Sequence, residues 1–210
     1  GYDNDLCDFT LTGFGYRHID FVGYIRKVSA RKPDETPLWI ILQTHKYGDG
    51  TGFSLREPTP AEVRAQNWLA IGEGATGIFW FIYSSQQGWD GLVDNPPLYR
   101  EVTSLALRVA PLRETLLQLQ KGEDTFEVTG GERAYSSTLV ATDGQKKYVV
   151  VVNRDCSQSQ LLALQPANGK VDGTEHMQFR NLETSCVYEA GEEILFKPGD
   201  GKIFEVVTQE

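Results

Sequence analysis

Two short, uninterrupted apolar runs joined by a sharply capped helix constrain this chain more than any other feature. Residues 37–43 read Pro-Leu-Trp-Ile-Ile-Leu-Gln, and residues 75–83 read Ala-Thr-Gly-Ile-Phe-Trp-Phe-Ile-Tyr. Runs this short, rich in β-branched and aromatic residues and without polar alternation, suit strands covered on both faces, the usual setting of parallel strands. Between them, Thr59 stands as N-cap, Pro60 takes the first helical position, Glu62 closes a capping box and Gly74 follows the end. Val63, Trp68 and Ile71 fall on one stripe with Ala70 and Gly74 beside them, which directs Arg64 and Gln66 elsewhere. Strand, helix and strand in this order make a βαβ unit with an expected right-handed crossover.

The flanks extend the pattern. Asp5 to Leu11 reads as a weak strand, and residues 19–28 read as a helix with Phe21, Tyr24, Ile25 and Val28 on one side. Pro97 opens a further helical stretch to Leu117, in which Val102, Leu105, Val109, Leu112 and Leu116 repeat at helical steps and Pro111 should kink or divide the helix. Residues 5–120 therefore read βα, βα, βα, and three strands cannot close a barrel.

From about residue 122 the texture changes. Segments 126–129, 136–142, 148–153, 161–164 and 202–207 read as strands between turn clusters, and Asp143-Gly144 is a hairpin signal. This pattern predicts an antiparallel β-sandwich. Lys121-Gly122-Glu123-Asp124 is the linker candidate, dividing the chain into residues 1–121 and 122–210.

Composition narrows the partners. With 40% hydrophobic and 23% charged residues the chain of 210 residues can build a core. Its net charge of −9 disfavours a nucleic-acid backbone, whose binding depends on Lys and Arg. No apolar run is long enough for a spanning helix, so no membrane partner is expected. Cys7, Cys156 and Cys186 lack metal-ligand spacing, the three histidines lie far apart, and neither a metal nor another cofactor is expected. Cys156 and Cys186 read as two buried free thiols ahead of a bridge. Gly1 in place of Met, followed by Tyr-Asp-Asn-Asp, suggests a processed or truncated chain.

The stretch Pro58-Thr59-Pro60-Ala61-Glu62-Val63-Arg64, followed by Trp68-Leu69-Ala70, Gly74-Ala75-Thr76-Gly77-Ile78, Phe79-Trp80 and Trp89-Asp90-Gly91-Leu92-Val93-Asp94, resembles the last two β/α units of (β/α)8-barrel glycoside hydrolases. The resemblance implies an α/β plus all-β fold: the last three units of a TIM barrel followed by a β-sandwich. It makes Asp5 to Leu11 strand six, Leu38 to Gln43 strand seven and Ile78 to Tyr83 strand eight. It favours an extracellular or periplasmic address and a polysaccharide or oligosaccharide as substrate.

Barrel enzymes build their site at the C-terminal ends of the strands, which makes Asp8, Gln43, His45, Tyr83, Trp89 and Asp90 the candidates. Glycoside cleavage uses two carboxyl groups, and Asp8 and Asp90 could supply them, although a loop Asp also serves as a turn former. In the clan resembled, strand seven ends in a glutamate nucleophile, but here it ends in Gln43, and an amide cannot attack an anomeric carbon. Other carboxylates, a shifted register or lost activity all accommodate that departure. Trp89 offers a sugar platform or a lid, and His45 a hydroxyl contact or a plain loop residue. Trp39, Trp68 and Phe79 are expected in the core, while Trp80 and Tyr83 should point to opposite faces.

Three readings remain open: part of a glycoside hydrolase, a non-catalytic carbohydrate binder, or an assembly module. In each, the open sheet edges call for a complementary N-terminal chain or for self-association.

Overall fold

The structure, a computed structural model, describes residues 11–12, 21–33, 36–49, 54–167 and 177–208. The first half runs β1 (Leu11–Thr12), α1 (Phe21–Ser29), β2 (Trp39–Gln43), β3 (Lys46–Tyr47), β4 (Ser54–Leu55), α2 (Pro60–Gly72), β5 (Gly77–Phe81), β6 (Trp89–Asp90) and α3 (Pro96–Val109). A 3-10 turn at Ala110–Leu112 then leads into α4 (Arg113–Leu116), so Pro111 divides the last helical stretch as its sequence predicts. The second half is all strand: β7 (Leu119–Lys121), β8 (Phe126–Thr129), β9 (Ala134–Ala141), β10 (Lys147–Asn153), β11 (Gln160–Pro166), β12 (Met177–Asn181), β13 (Val187–Glu189), β14 (Glu193–Phe196) and β15 (Gly201–Thr208). The fold is mixed helix and sheet with most strands antiparallel.

The βαβ unit forms as expected. β2 and β5 pair parallel, with Trp39 opposite Gly77 and Gln43 opposite Phe81. Thr59 caps α2, its hydroxyl accepting from the Glu62 N–H at 3.2 Å while Glu62 Oε2 accepts from the Thr59 N–H at 2.7 Å. Even-numbered strand residues turn towards the helices: Leu42 is fully buried, and Ile40, Ile78 and Trp80 join it against Ile25 and Ala70. Burying one such leucine contributes about 1.5–3 kcal/mol.

The expectation of strands covered on both faces fails. Trp39 is 62% exposed, Ile41 69%, Phe79 51% and Phe81 38%, so Trp39 and Phe79 are not core residues. The physical reason is that the parallel sheet has only two strands among the described residues, and of its odd-numbered side chains Phe81 is covered in part, by His45 and Trp89. Strand β1 also departs from expectation: it pairs antiparallel with β4 in a small sheet ordered β1-β4-β3-β6, not parallel beside β2. The rest of the predicted strand at residues 5–11 lies outside the described residues.

Helix α2 is buried nearly all round, because it lies between two sheets. Ala70 meets the parallel pair, while Val63, Trp68, Leu69 and Ile71 meet the second half of the chain. Gln66 is therefore 1% exposed, contrary to its predicted outward direction. Arg64 instead reaches the neighbouring helix, where its Nε and Nη2 bond Glu101 at 2.8 and 2.6 Å.

The second half has two antiparallel sheets, one six-stranded and ordered β13-β12-β15-β10-β9-β7, the other three-stranded, β14-β11-β8. The Asp143-Gly144 turn joins β9 to β10, with Gly144 at φ +74 where a side chain would be strained. Strand β10 reads Lys-Tyr-Val-Val-Val-Val-Asn and is buried on both faces. Val149 and Val151 enter a core shared by the two sheets with Phe126, Phe179 and Phe204, whereas Tyr148, Val150 and Val152 face the helices. The helices thus form a third layer on the six-stranded sheet, and one apolar core crosses the 121/122 boundary. Strand β7 forms one edge of that sheet beside β9, and the linker candidate is pinned by a Lys121 to Asp124 contact of 2.5 Å. Cys156 and Cys186 do not bridge each other, and they are half-buried and exposed respectively rather than both buried.

Candidate functional site at the strand ends

The two parallel strands end side by side, and the Thr44 N–H extends the ladder by donating to the Phe81 carbonyl at 2.8 Å. Beyond them, β3 and β6 pair antiparallel, Tyr47 opposite Trp89 and Lys46 opposite Asp90. That pairing draws the loops after both strands into one rim. Its result is an aromatic cluster: Trp89 lies 4.8 Å from His45, 4.5 Å from Tyr47 and 5.5 Å from Phe81 between ring centroids. Such tilted and edge-on contacts each contribute about 0.5–1.5 kcal/mol beyond area burial.

His45 is held at the centre. Its Nδ1 lies 2.7 Å from the Phe81 carbonyl, which can only accept, so Nδ1 carries the proton and donates. In the neutral ring Nε2 is then a bare acceptor; it is buried and has no partner among the described residues. Thr44 Oγ1, beside it in sequence, is buried and unpartnered too.

Gln43 serves the backbone. Its Nε2 donates to the carbonyls of His45, at 2.9 Å, and Arg56, at 2.8 Å, which commits both amide hydrogens. Arg56 in turn bonds Glu62 through Nη1 at 2.8 Å and through Nη2. The carboxylate that caps α2 therefore also anchors the loop between β4 and α2, and Gln43 staples that loop to the rim.

The remaining candidates are distributed unevenly. Asp90 is exposed on the rim, 3.8 Å from Lys46 Nζ. Tyr83 is 58% exposed and packs on Tyr99 of α3 at 6.1 Å, beside the cluster residues in sequence but against a different element. Asp8 lies outside the described residues. Tyr47 and Phe81 were missed as site residues: Phe81 sat inside an apolar run, and Tyr47 gains its place only through the long-range register with Trp89. Among the described residues no group of three His, Cys, Asp or Glu side chains could hold a metal ion, and no helix is long and apolar enough to cross a membrane.

An open groove of about 600 Å³ runs from this rim along the free edge of β2, bordered by Ile41, Gln43, His45, Gln66 and Phe81 and by Tyr24 of α1. The rim presents aromatic surface from Trp89, Tyr47 and Phe81 and one exposed carboxylate, Asp90.

No protein-family model matches the chain, and no curated protein does. Two weakly similar solved structures are both glycoside hydrolases. One, from Bacteroides fragilis, is provisionally described as an alpha-galactosidase and aligns with a TM-score of 0.38 and 13% identity over 73% of this chain and 30% of that one. The other, the apo exo-carrageenase GH42 from Bacteroides ovatus, aligns with a TM-score of 0.28 and 12% identity over 98% of this chain and 26% of that one. The chain thus spans less than a third of either structure.

Proposed function

We propose that this chain forms one wall of a carbohydrate-binding cleft in a larger barrel of the glycoside hydrolase type. The observation that supports this reading best is the convergence of two strand-end loops that gathers Trp89, Tyr47, Phe81 and His45 on the rim that also bears Asp90. A pyranose ring presents C–H groups to an aromatic face and hydroxyls to its edges, matching an indole beside the exposed Asp90 carboxylate. The exposed Trp39, Ile41 and Phe79 fit the inside of a barrel, where parallel strands are covered on both sides. In this reading Asp90 and Asp8 supply the carboxylates, and the substrate is a polysaccharide or oligosaccharide.

A second, non-catalytic reading draws on Gln43. The end of β2 carries an amide engaged with backbone, and Asp90 is placed near an ammonium group, so the described rim holds no close pair of carboxylates. The binding role survives in that case while cleavage does not.

Calorimetric titration with a panel of neutral oligosaccharides tests both. Binding that weakens by about tenfold or more in Trp89→Ala, roughly 1.4 kcal/mol, supports the cleft. Equal affinity of the parent chain and Trp89→Ala for every sugar would refute it. Release of reducing ends by a protein that includes the rest of a barrel separates hydrolysis from binding alone.

A further inference from the structure

The loop that carries Trp89 leaves the end of β5 and returns to it. At its base the Leu92 N–H donates to the Ile82 carbonyl and the Val93 N–H to the Tyr83 carbonyl, each at 2.9 Å. At its tip Gln86 and Trp89 exchange two backbone bonds, of 3.0 and 2.8 Å, around a turn in which Gly88 takes φ +81. The facing loop steadies that tip, because the Gly48 N–H donates to the Gly88 carbonyl at 2.9 Å and Tyr47 pairs with Trp89.

Base and tip are thus each closed by backbone bonds. Between them the two legs of the loop are joined by a side chain: Ser85 Oγ accepts from the Gly91 N–H at 2.8 Å. Gly91 is buried, and the legs come so close that a Cβ there would lie 2.7 Å from the Tyr83 and Ser84 carbonyl oxygens and 2.9 Å from that of Ile82. A buried N–H needs an acceptor, and the serine hydroxyl supplies it from six residues earlier in the chain. Trp89 and Asp90 are the two residues that immediately precede this bond.

We propose that Ser85 is a positioning residue: through Gly91 it fixes the leg from which Trp89 and Asp90 project, and so holds the indole against His45, Tyr47 and Phe81 before any ligand arrives. The consequence for binding rests on the carbohydrate reading of the rim, since a platform ordered in advance binds a sugar ring more tightly than one that must be ordered on contact.

Nitrogen-15 relaxation of the tryptophan indoles in the full chain reads the loop directly, with fully buried Trp68 as internal reference. In Ser85→Ala the Trp89 indole should fall from an order parameter of about 0.85 to below about 0.6 while that of Trp68 stays, and Ser85→Thr, which keeps the hydroxyl, should restore it. Affinity for cellohexaose and mannohexaose, by calorimetric titration, should fall about threefold or more in Ser85→Ala and not in Ser85→Thr. An equally ordered Trp89 indole in Ser85→Ala, loosening of Trp68 together with Trp89, or no rescue by folded Ser85→Thr each overturns the proposal. So does an unchanged affinity in Ser85→Ala for a sugar that Trp89→Ala binds less well. Where neither sugar binds the parent chain, the carbohydrate reading falls, and the indole measurement still decides the role of Ser85.

Discussion

Gly201→Ala tests whether the helical layer and the antiparallel sheets are one cooperative unit. A methyl group at Gly201 would lie 2.2 Å from Cγ of Trp68, 2.4 Å from its Cβ and 2.7 Å from Cδ1. Ordinary carbon contacts sit at about 3.5–4.0 Å, so the ring or the strand must move by more than roughly 1 Å. Trp68 cannot swing outwards, being fully buried, with the Arg108 guanidinium 5.0 Å above its ring. Arg108 is itself tethered, to Glu183 at 2.7 Å, Asp200 at 3.0 Å and the Gly201 carbonyl at 3.0 Å. Overpacking of a core costs about 1–3 kcal/mol, and the rigidity here puts the expected loss near 3 kcal/mol. For a chain of this length that lowers Tm by roughly 6–12 °C. Urea unfolding followed by both tryptophan fluorescence and far-ultraviolet circular dichroism should give one transition, displaced equally in both signals. A loss under about 0.5 kcal/mol, or a sheet transition that moves while the helical signal stays, would refute the shared core.

Three further outcomes follow from the same geometry. Thr59→Ala removes the hydroxyl half of the capping box and should cost about 1 kcal/mol by denaturant unfolding, with Thr59→Ser retaining most of the stability. Tyr135→Phe removes a buried hydroxyl that donates to Glu73, a carboxylate that also receives Arg26 at 2.8 Å; about 1–2 kcal/mol should be lost, and an unchanged midpoint would show the contact to be idle. Acid should weaken the antiparallel sheets. Burial opposes ionisation of Glu205, but hydrogen bonds from Lys146 and Arg180 bring its carboxyl below the usual range, and the Ser157 hydroxyl with nearby N–H groups does the same for Asp155. Both carboxyls are depressed in the folded state, so their stabilisation is complete above the unfolded value of about 4 and disappears as pH falls through the folded values. The urea midpoint should hold near neutrality and decline below about pH 4, less steeply in Glu205→Gln.

The elements whose chemistry is local could be read from the chain itself. Helix α2 announces itself because Thr59, Pro60 and Glu62 satisfy its first turn from within three residues, and the Asp143-Gly144 turn because only a flexible backbone makes so tight a reversal. Pro111 broke the last helix for an equally local reason, its missing donor. The covered faces of β2 and β5 were not legible, because a continuous apolar run looks the same whether one side or both are covered.

What only the tertiary structure decided depends on residues far apart. Gln66 is buried because α2 lies between two sheets, and the site cluster exists because β3 finds β6 across more than forty residues, bringing Tyr47 to Trp89. Gln43 reads as a vacant nucleophile position until its amide is seen bonded to two carbonyls. Residue order thus determined the βαβ unit, the helix breaks and the antiparallel second half, through propensity and capping that act over a few bonds. Which aromatic faces gather at the rim, and which strand edge stays open, are set by pairing and packing between segments, where side chains compete for the same space.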